Sequence, residues 1–175
     1  MEFNELVKNR RSCRKYQESS ITEDEIKQII ECGLMAPSWK NSETGRYYVA
    51  TTKEAVQEVY DCLPDFNQNS TKNACAYIVA TFKKGISGYD VNGNTTEGDV
   101  WGAYDLGLQN SYLLLKACEL GYDTLIMGIR DYGRLRKYFN IPEDEMILPV
   151  IAIGKKDIDL RLNPRKKLEE VLNIK

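Results

Sequence analysis

The sequence predicts one globular unit that mixes helices and strands, and three observations carry this. Helical and strand patterns alternate from residue 45 onward. Neither a linker nor an internal repeat interrupts the 175 residues. The composition, 42% hydrophobic and 29% charged, suits a packed core rather than a disordered chain.

The elements follow in order. Phe3 to Asn9 reads as a short helix with Phe3, Leu6 and Val7 on one face. Ile21-Thr22-Glu23-Asp24-Glu25 is a helix start. Thr22 caps, Glu25 completes a capping box, and Ile21 and Ile26 are spaced for a hydrophobic staple. Ile26, Ile29, Ile30 and Leu34 continue at helical spacing until Pro37 ends the run. Arg46 to Thr52 has strand composition, Lys53 to Leu63 looks helical, and Cys75 to Phe82 reads as a buried strand. Lys84 to Gly98 is a polar, glycine-containing loop.

Asp99 to Leu120 is the longest helix, apolar nearly all round through Val100, Trp101, Ala103, Leu106, Leu108 and Leu113 to Leu115. Such a helix is buried on several sides, by its own unit or by a second subunit. Gly121 stops it. Thr124 to Ile129 and Met146 to Gly154 read as strands, with a short helix at Tyr132 to Phe139 between them. Leu160 to Lys175 is a basic tail with an apolar finish.

Several function classes drop out. A net charge of −2 argues against a general nucleic-acid binder. The first residues are acidic and no long apolar run follows, so neither a signal peptide nor a membrane span is expected. Five scattered cysteines without a C-x-x-C pair suit a reducing compartment, and a cytoplasmic location is the expectation. The chain has no histidine, which removes the Ser-His-Asp triad, the Cys-His pair and histidine-ligated zinc. Neither G-x-G-x-x-G nor a P-loop is present. An enzyme built this way needs a cofactor for the hard step, or another acid or base.

Four segments are candidates for chemistry. In an extended Arg10 to Arg14, side-chain alternation puts Arg10, Ser12 and Arg14 on one side, where two guanidiniums and a hydroxyl suit a phosphate dianion. The ordinary alternative is that Lys8, Arg10 and Arg11 complement the end of the first helix. Pro37-Ser38-Trp39-Lys40-Asn41 is a turn that can offer Ser38 and Asn41 to a heterocycle, or simply an ordinary loop. Met127-Gly128 ends a strand where a flat ligand can approach the backbone, or simply belongs to a buried core strand. Asn163-Pro164-Arg165-Lys166-Lys167 is a second basic cluster, either a solvated tail or the completion of a phosphate site begun at Arg10.

The ordered set of motifs resembles the nitroreductase family of FMN-dependent oxidoreductases over nearly the whole chain. The similarity rests on R-R-S-C-R-K-Y at Arg10 to Tyr16 and on E-D-E-I-K-Q-I-I-E-C-G-L-M-A-P-S-W-K-N at Glu23 to Asn41. It continues in D-x-G-L-x-x-x-x-L-L-L-K-A-x-x-L-G at Asp105 to Gly121, in Met127-Gly128, in L-R-K-Y-F-N-I-P-E-D-E from Leu135, and in R-K-K-L-E-E-V-L at Arg165 to Leu172.

The resemblance implies a single α+β domain over residues 1–175, with a central, mostly antiparallel sheet flanked by helices. It implies a homodimer with the long helix at the interface and FMN between the subunits. Carried over by position, Arg10, Arg11, Ser12 and Arg14 would hold the phosphate and ribityl chain. Pro37, Ser38 and Asn41 would touch the ring from the other subunit, and Met127 and Gly128 would lie beside it. Arg165, with Lys166, would close the phosphate site.

The implied activity is NAD(P)H-dependent reduction of a small acceptor, such as a nitroaromatic or a quinone, in ping-pong order. Lys40 and Arg46 are candidates for a 2′-phosphate. Where the family often has Gln after the asparagine, this chain has Glu43 in Ser42-Glu43-Thr44-Gly45, which could alter flavin potential or point to solvent. The loop at Lys84 to Gly98, with Tyr89, is a candidate lid. Other readings are a sensory FMN-binding protein, a same-fold flavoenzyme that dehalogenates or destroys flavin, and a basic-patch interaction module without flavin.

Overall fold

The computed structural model describes residues 2–93, 97–160 and 162–175. Its centre is strand β5 (Glu145–Lys156), which is hydrogen-bonded along both edges. β3 (Ala76–Lys83) lies on one edge, and β2 (Gly45–Ala50) pairs with β3 beyond it. The other edge of β5 takes β4 (Asp123–Met127), and the two-residue β1 (Tyr16–Gln17) pairs with the end of β5 at Lys155 and Lys156. Every pairing between these strands is antiparallel.

Side-chain alternation splits the sheet into two cores. Tyr77 and Val79 of β3, with Val150 and Ala152 of β5, face a cluster that includes Val59 of α3 (Lys53–Tyr60) and Leu135 of α6 (Tyr132–Phe139). Ile78, Ile151 and Ile153 face the opposite way. They meet Ile26 and Ile29 of α2 (Glu23–Leu34) and Leu113, Leu114 and Ala117 of α5 (Val100–Glu119). The arrangement is the expected α+β sheet flanked by helices, with one long helix against its centre.

Local chemistry sets the ends. The Thr22 hydroxyl accepts from the Glu25 amide at 3.2 Å, and the Glu25 carboxylate accepts from the Thr22 amide at 2.8 Å, so the capping box forms as expected. Ile21 packs against the cluster that contains Ile26, in keeping with the staple spacing. α1 spans Phe3–Asn9 as expected. The helix expected to reach Leu63 ends at Tyr60, and a separate helix, α4 (Asp65–Thr71), follows Pro64. The tail contributes one short 3-10 turn at Leu168–Glu170.

The long helix is less enclosed than its composition suggests. Leu106, Leu113 and Leu114 are buried, but Val100, Tyr104 and Tyr112 are exposed on the single chain. The helix approaches the sheet closely at Gly102, where an added Cβ would lie 2.4 Å from the Phe82 ring. Phe82 is fully buried and has no room to withdraw. Gly102→Ala should therefore destabilise the protein by about 1–3 kcal/mol, the usual cost of overpacking. Urea unfolding checks this, and an unchanged midpoint would contradict the packing described.

Candidate functional site

The arginine segment leaves α1 in an extended conformation and runs beside β4. Ser12 forms a parallel bridge with Thr124, and the Cys13 amide donates to the Thr124 carbonyl at 2.9 Å. Cys13 is fully buried in the core, while its neighbours Ser12 and Arg14 are exposed. Burial pushes the Cys13 thiol pKa up, and its Sγ donates to the Lys15 carbonyl at 3.2 Å. A thiol kept protonated in this way is a packing residue rather than a nucleophile. Its role is to fix which side of the segment faces out.

Arg10, Ser12 and Arg14 line one cavity of about 240 Å³. Asp159, Asn163 and Arg165 close it from the tail. The two basic clusters, far apart in sequence, thus meet in space. Arg165 donates to the Asn163 carbonyl at 3.4 Å, within its own loop. Asp159 is the acidic member of the cavity, and the balance among its charged side chains remains cationic.

Two expected members behave differently. Arg11 lines the cavity, but its guanidinium donates to the carbonyls of Val7 and Arg10, at 3.4 and 2.7 Å. It caps the end of α1, as the ordinary alternative anticipated. Lys166 is exposed and is not among the residues lining this cavity.

From Thr124, beside Ser12, four residues of extended chain lead to Gly128, a span of roughly 13 Å. There an apolar groove of about 390 Å³ opens between α5 and the strand ends. Leu106, Gly107, Leu114, Ile126, Gly128 and Leu148 are among its lining residues. Met127 points away from it into the core and is 3% exposed. Arg130 borders the groove, with its guanidinium donating to the carbonyls of Gly128 and Ile147. Burial lowers the Arg130 pKa from its ordinary value.

Pro37, Ser38 and Asn41 lie on a separate turn before β2, a short 3-10 element at Trp39–Asn41. Pro37 and Asn41 are exposed and Ser38 is half-buried. The cavity lined by this turn and the one lined by the arginines share no residue. The Ser38 hydroxyl accepts from the Glu43 amide at 3.1 Å. The exposed Glu43 carboxylate accepts from the Asn41 side-chain amide at 2.9 Å, so it serves the turn locally. Arg46 donates to the Glu43 and Gly45 carbonyls, and Lys40 sits over the Trp39 ring at 5.8 Å.

A cavity of about 310 Å³ separates this turn from the polar loop, with Trp39, Lys40, Ile86 and Tyr89 among its walls. The tip of that loop, residues 94–96, lies outside the described residues, and the lid expectation falls partly there.

Nothing in the sequence marked Arg130, or marked Asp105 and Ser87 as residues that hold the turn from beneath. Asp105 was readable as the first residue of the D-x-G-L motif, with no partner for its carboxylate. Among the described residues, no cluster of His, Cys, Asp or Glu could hold a metal ion. No described helix is long and apolar enough to cross a membrane.

The family model described as the nitroreductase family matches residues 7–155. The chain belongs to the nitroreductase family. An Archaeoglobus fulgidus protein, provisionally named an NADH dehydrogenase/NAD(P)H nitroreductase, is 27% identical over 172 residues, covering 91% of this chain and 92% of that protein. A Vibrio harveyi NADPH-flavin oxidoreductase is 25% identical over 166 residues, covering 92% and 68%. Among solved structures, a nitroreductase family protein from Streptococcus pneumoniae superposes with a TM-score of 0.87 at 17% identity, covering 99% of this chain and 100% of that one. A provisionally named nitroreductase from Exiguobacterium sibiricum, solved with FMN, gives 0.82 at 24% identity, covering 100% and 98%. These neighbours match the architecture of sheet and long helix described above.

The cationic cavity should bind inorganic phosphate without any larger ligand. Phosphate should raise the melting temperature of the wild-type protein more than that of Arg14→Ala, because a ligand that binds only the folded state stabilises it. Equal shifts in a thermal-melt titration would show that the cavity is not an anion site.

Proposed function

We propose that this nitroreductase-family protein is an FMN-dependent oxidoreductase that transfers reducing equivalents from NAD(P)H to small acceptors such as nitroaromatics or quinones. One observation carries the reading: Arg10, Ser12, Arg14 and Arg165 line a single cavity at one end of the open β4 edge, and an apolar groove lies at the other end. That pairing of a cationic pocket with an apolar slot fits a phosphorylated molecule with a planar ring. The relatives named for NAD(P)H or flavin activity, and the structural neighbour solved with FMN, support it.

The fit is specific in its parts. Arginine forks match phosphate oxygens, and Ser12 adds a hydroxyl from the same side of the chain. Gly128 has open space where a Cβ would stand, so nothing blocks a ring from the backbone there. When bound, FMN supplies hydride transfer between donor and acceptor, a chemistry that needs no side-chain nucleophile. The protein binds, orients and shields. This accounts for an enzyme without histidine.

A second copy of the chain completes the proposal. Pro37, Ser38 and Asn41 form no wall of the arginine cavity in their own chain, which fits a role at the partner's ring. Val100, Tyr104 and Tyr112 leave part of α5 uncovered, and the buried Asn110 Oδ1 finds no donor among the described residues. Both features suit a homodimer packed on this helix. With no separate dinucleotide motif in the sequence, donor and acceptor use the same place in turn, which is a ping-pong order.

Purified protein should show a flavin visible spectrum and oxidise NAD(P)H with a quinone or nitro compound, giving parallel double-reciprocal lines. A colourless protein that takes up no FMN would end the reading, and intersecting lines would end the ping-pong order. Arg14→Ala and Arg165→Ala should each weaken FMN binding roughly ten- to a hundredfold, the scale of a lost charge-assisted hydrogen bond. The urea midpoint of the FMN-free protein should stay in place. Fluorescence titration beside urea unfolding separates the two effects.

A further inference from the structure

We infer that Asp105 is a positioning residue: its buried carboxylate clamps both ends of the ring-facing turn and ties that turn to the polar loop at Ser87. The inference rests on the proposed role of Ser38 and Asn41 at the flavin ring.

The turn is a demanding piece of backbone. Lys40, Asn41 and Glu43 have φ values of 47°, 54° and 48°, all in the left-handed region that side-chain-bearing residues seldom adopt. Such a conformation persists only when its surroundings fix it. Within the turn, the Asn41 and Ser42 amides donate to the Ser38 and Trp39 carbonyls at 3.0 and 2.8 Å, and the side-chain contacts, from Asn41 to Glu43 and from Glu43 to Ser38, are made by exposed or half-buried groups open to competition from water.

The fixed support comes from beneath. Asp105 is 2% exposed. Its Oδ1 and Oδ2 accept from the Trp39 amide at 3.1 and 3.0 Å. The Ser87 hydroxyl lies 2.7 Å from Oδ2 and 2.8 Å from the Ser42 hydroxyl. A carboxylate only accepts, so Ser87 donates to Asp105 and Ser42 donates to Ser87. One carboxylate therefore holds Trp39 directly and Ser42 through a single relay, with the strained residues Lys40 and Asn41 between them.

The neighbours along α5 extend the support. Residues four apart share one face of a helix. Trp101, four before Asp105, packs its ring 4.9 Å from that of Trp39. Gln109, four after, is 1% exposed and sits under Gly45, where an added Cβ would lie 1.9 Å from its Oε1. The stripe Trp101, Asp105 and Gln109 thus underlies the chain from Trp39 to the start of β2. Asp105 is its only charged member; it reaches the polar loop at Ser87, while Trp101 meets that loop at Gly88 and donates its indole N–H to Glu97 at 3.1 Å.

The experiment measures hydrogen–deuterium exchange and FMN affinity together. FMN-free wild type, Asp105→Asn and Ser87→Ala are compared over residues 38–43 and 84–91. Asp105→Asn replaces one acceptor with a donor, so exchange should speed up in both segments. Ser87→Ala should release 84–91 and the Ser42 end while leaving the Trp39 contact. FMN affinity should fall roughly ten- to a hundredfold in Asp105→Asn and less in Ser87→Ala. The visible circular dichroism of bound flavin should change as well, which a loss of global stability alone would not produce.

Wild-type exchange rates in both variants would overturn the clamp. Faster exchange with unchanged FMN affinity and flavin dichroism would reduce Asp105 to a structural residue and overturn its positioning role. If Asp105→Asn does not fold, Ser87→Ala decides by the same readouts. Wild-type protein that binds no FMN would overturn the flavin reading and the positioning role with it, and the exchange data would still report the clamp separately.

Discussion

The site depends on how the chain from Ser12 to Arg14 is held to β4. The bridge between Ser12 and Thr124, and the hydrogen bond from the Cys13 amide, dock this segment along an otherwise open strand edge. The buried Cys13 side chain then acts as a plug, and alternation turns Ser12 and Arg14 outward. Without that register, Arg10 and Arg14 would belong to a solvated surface run. With it, they face the tail that brings Arg165. A two-residue strand, β1, continues the same segment and joins it to β5, so the arginines are anchored at both ends of the run.

The scaffold behind this edge is rigid where it needs to be. β5 is paired on both sides and buried through Val150 to Ile153, and both cores press on it. α5 lies against the sheet at Gly102 and carries the polar residues that reach the turn before β2. Two features far apart in sequence, the arginine segment and the turn before β2, are thereby referred to one sheet and one helix. Residues that carry chemistry or binding are commonly displayed on loops over such a frame.

Legibility in the sequence followed the range of the forces involved. The α2 boundary was readable because Thr22, Glu25, Ile21 and Ile26 act within one turn of helix. The arginines and Arg165 were readable as basic clusters, and the family resemblance supplied their pairing. α4 was not readable. Its residues, Asp65 to Thr71, are mostly weak helix formers, and contacts outside the helix anchor it, such as the Asn67 side-chain amide donating to the Ile129 carbonyl at 3.4 Å. β1 is too short to carry a pattern. Asp105 looked like an interruption of an apolar helix because its partners, Trp39 and Ser87, are 66 and 18 residues away. The role of Arg11 as a helix cap rather than a cavity donor was decided by rotamer, which sequence does not encode.

The central claim is that the arginine cavity holds a phosphate attached to a flavin. Comparing FMN with riboflavin, which has the same ring and no phosphate, tests it most directly. In a fluorescence-quenching titration of the FMN-free protein, FMN should bind at least roughly a hundredfold more tightly, as expected when two or more charge-assisted hydrogen bonds are at stake. Equal affinities for the two molecules would contradict the account, since the ring would then be bound without help from Arg10, Arg14 and Arg165.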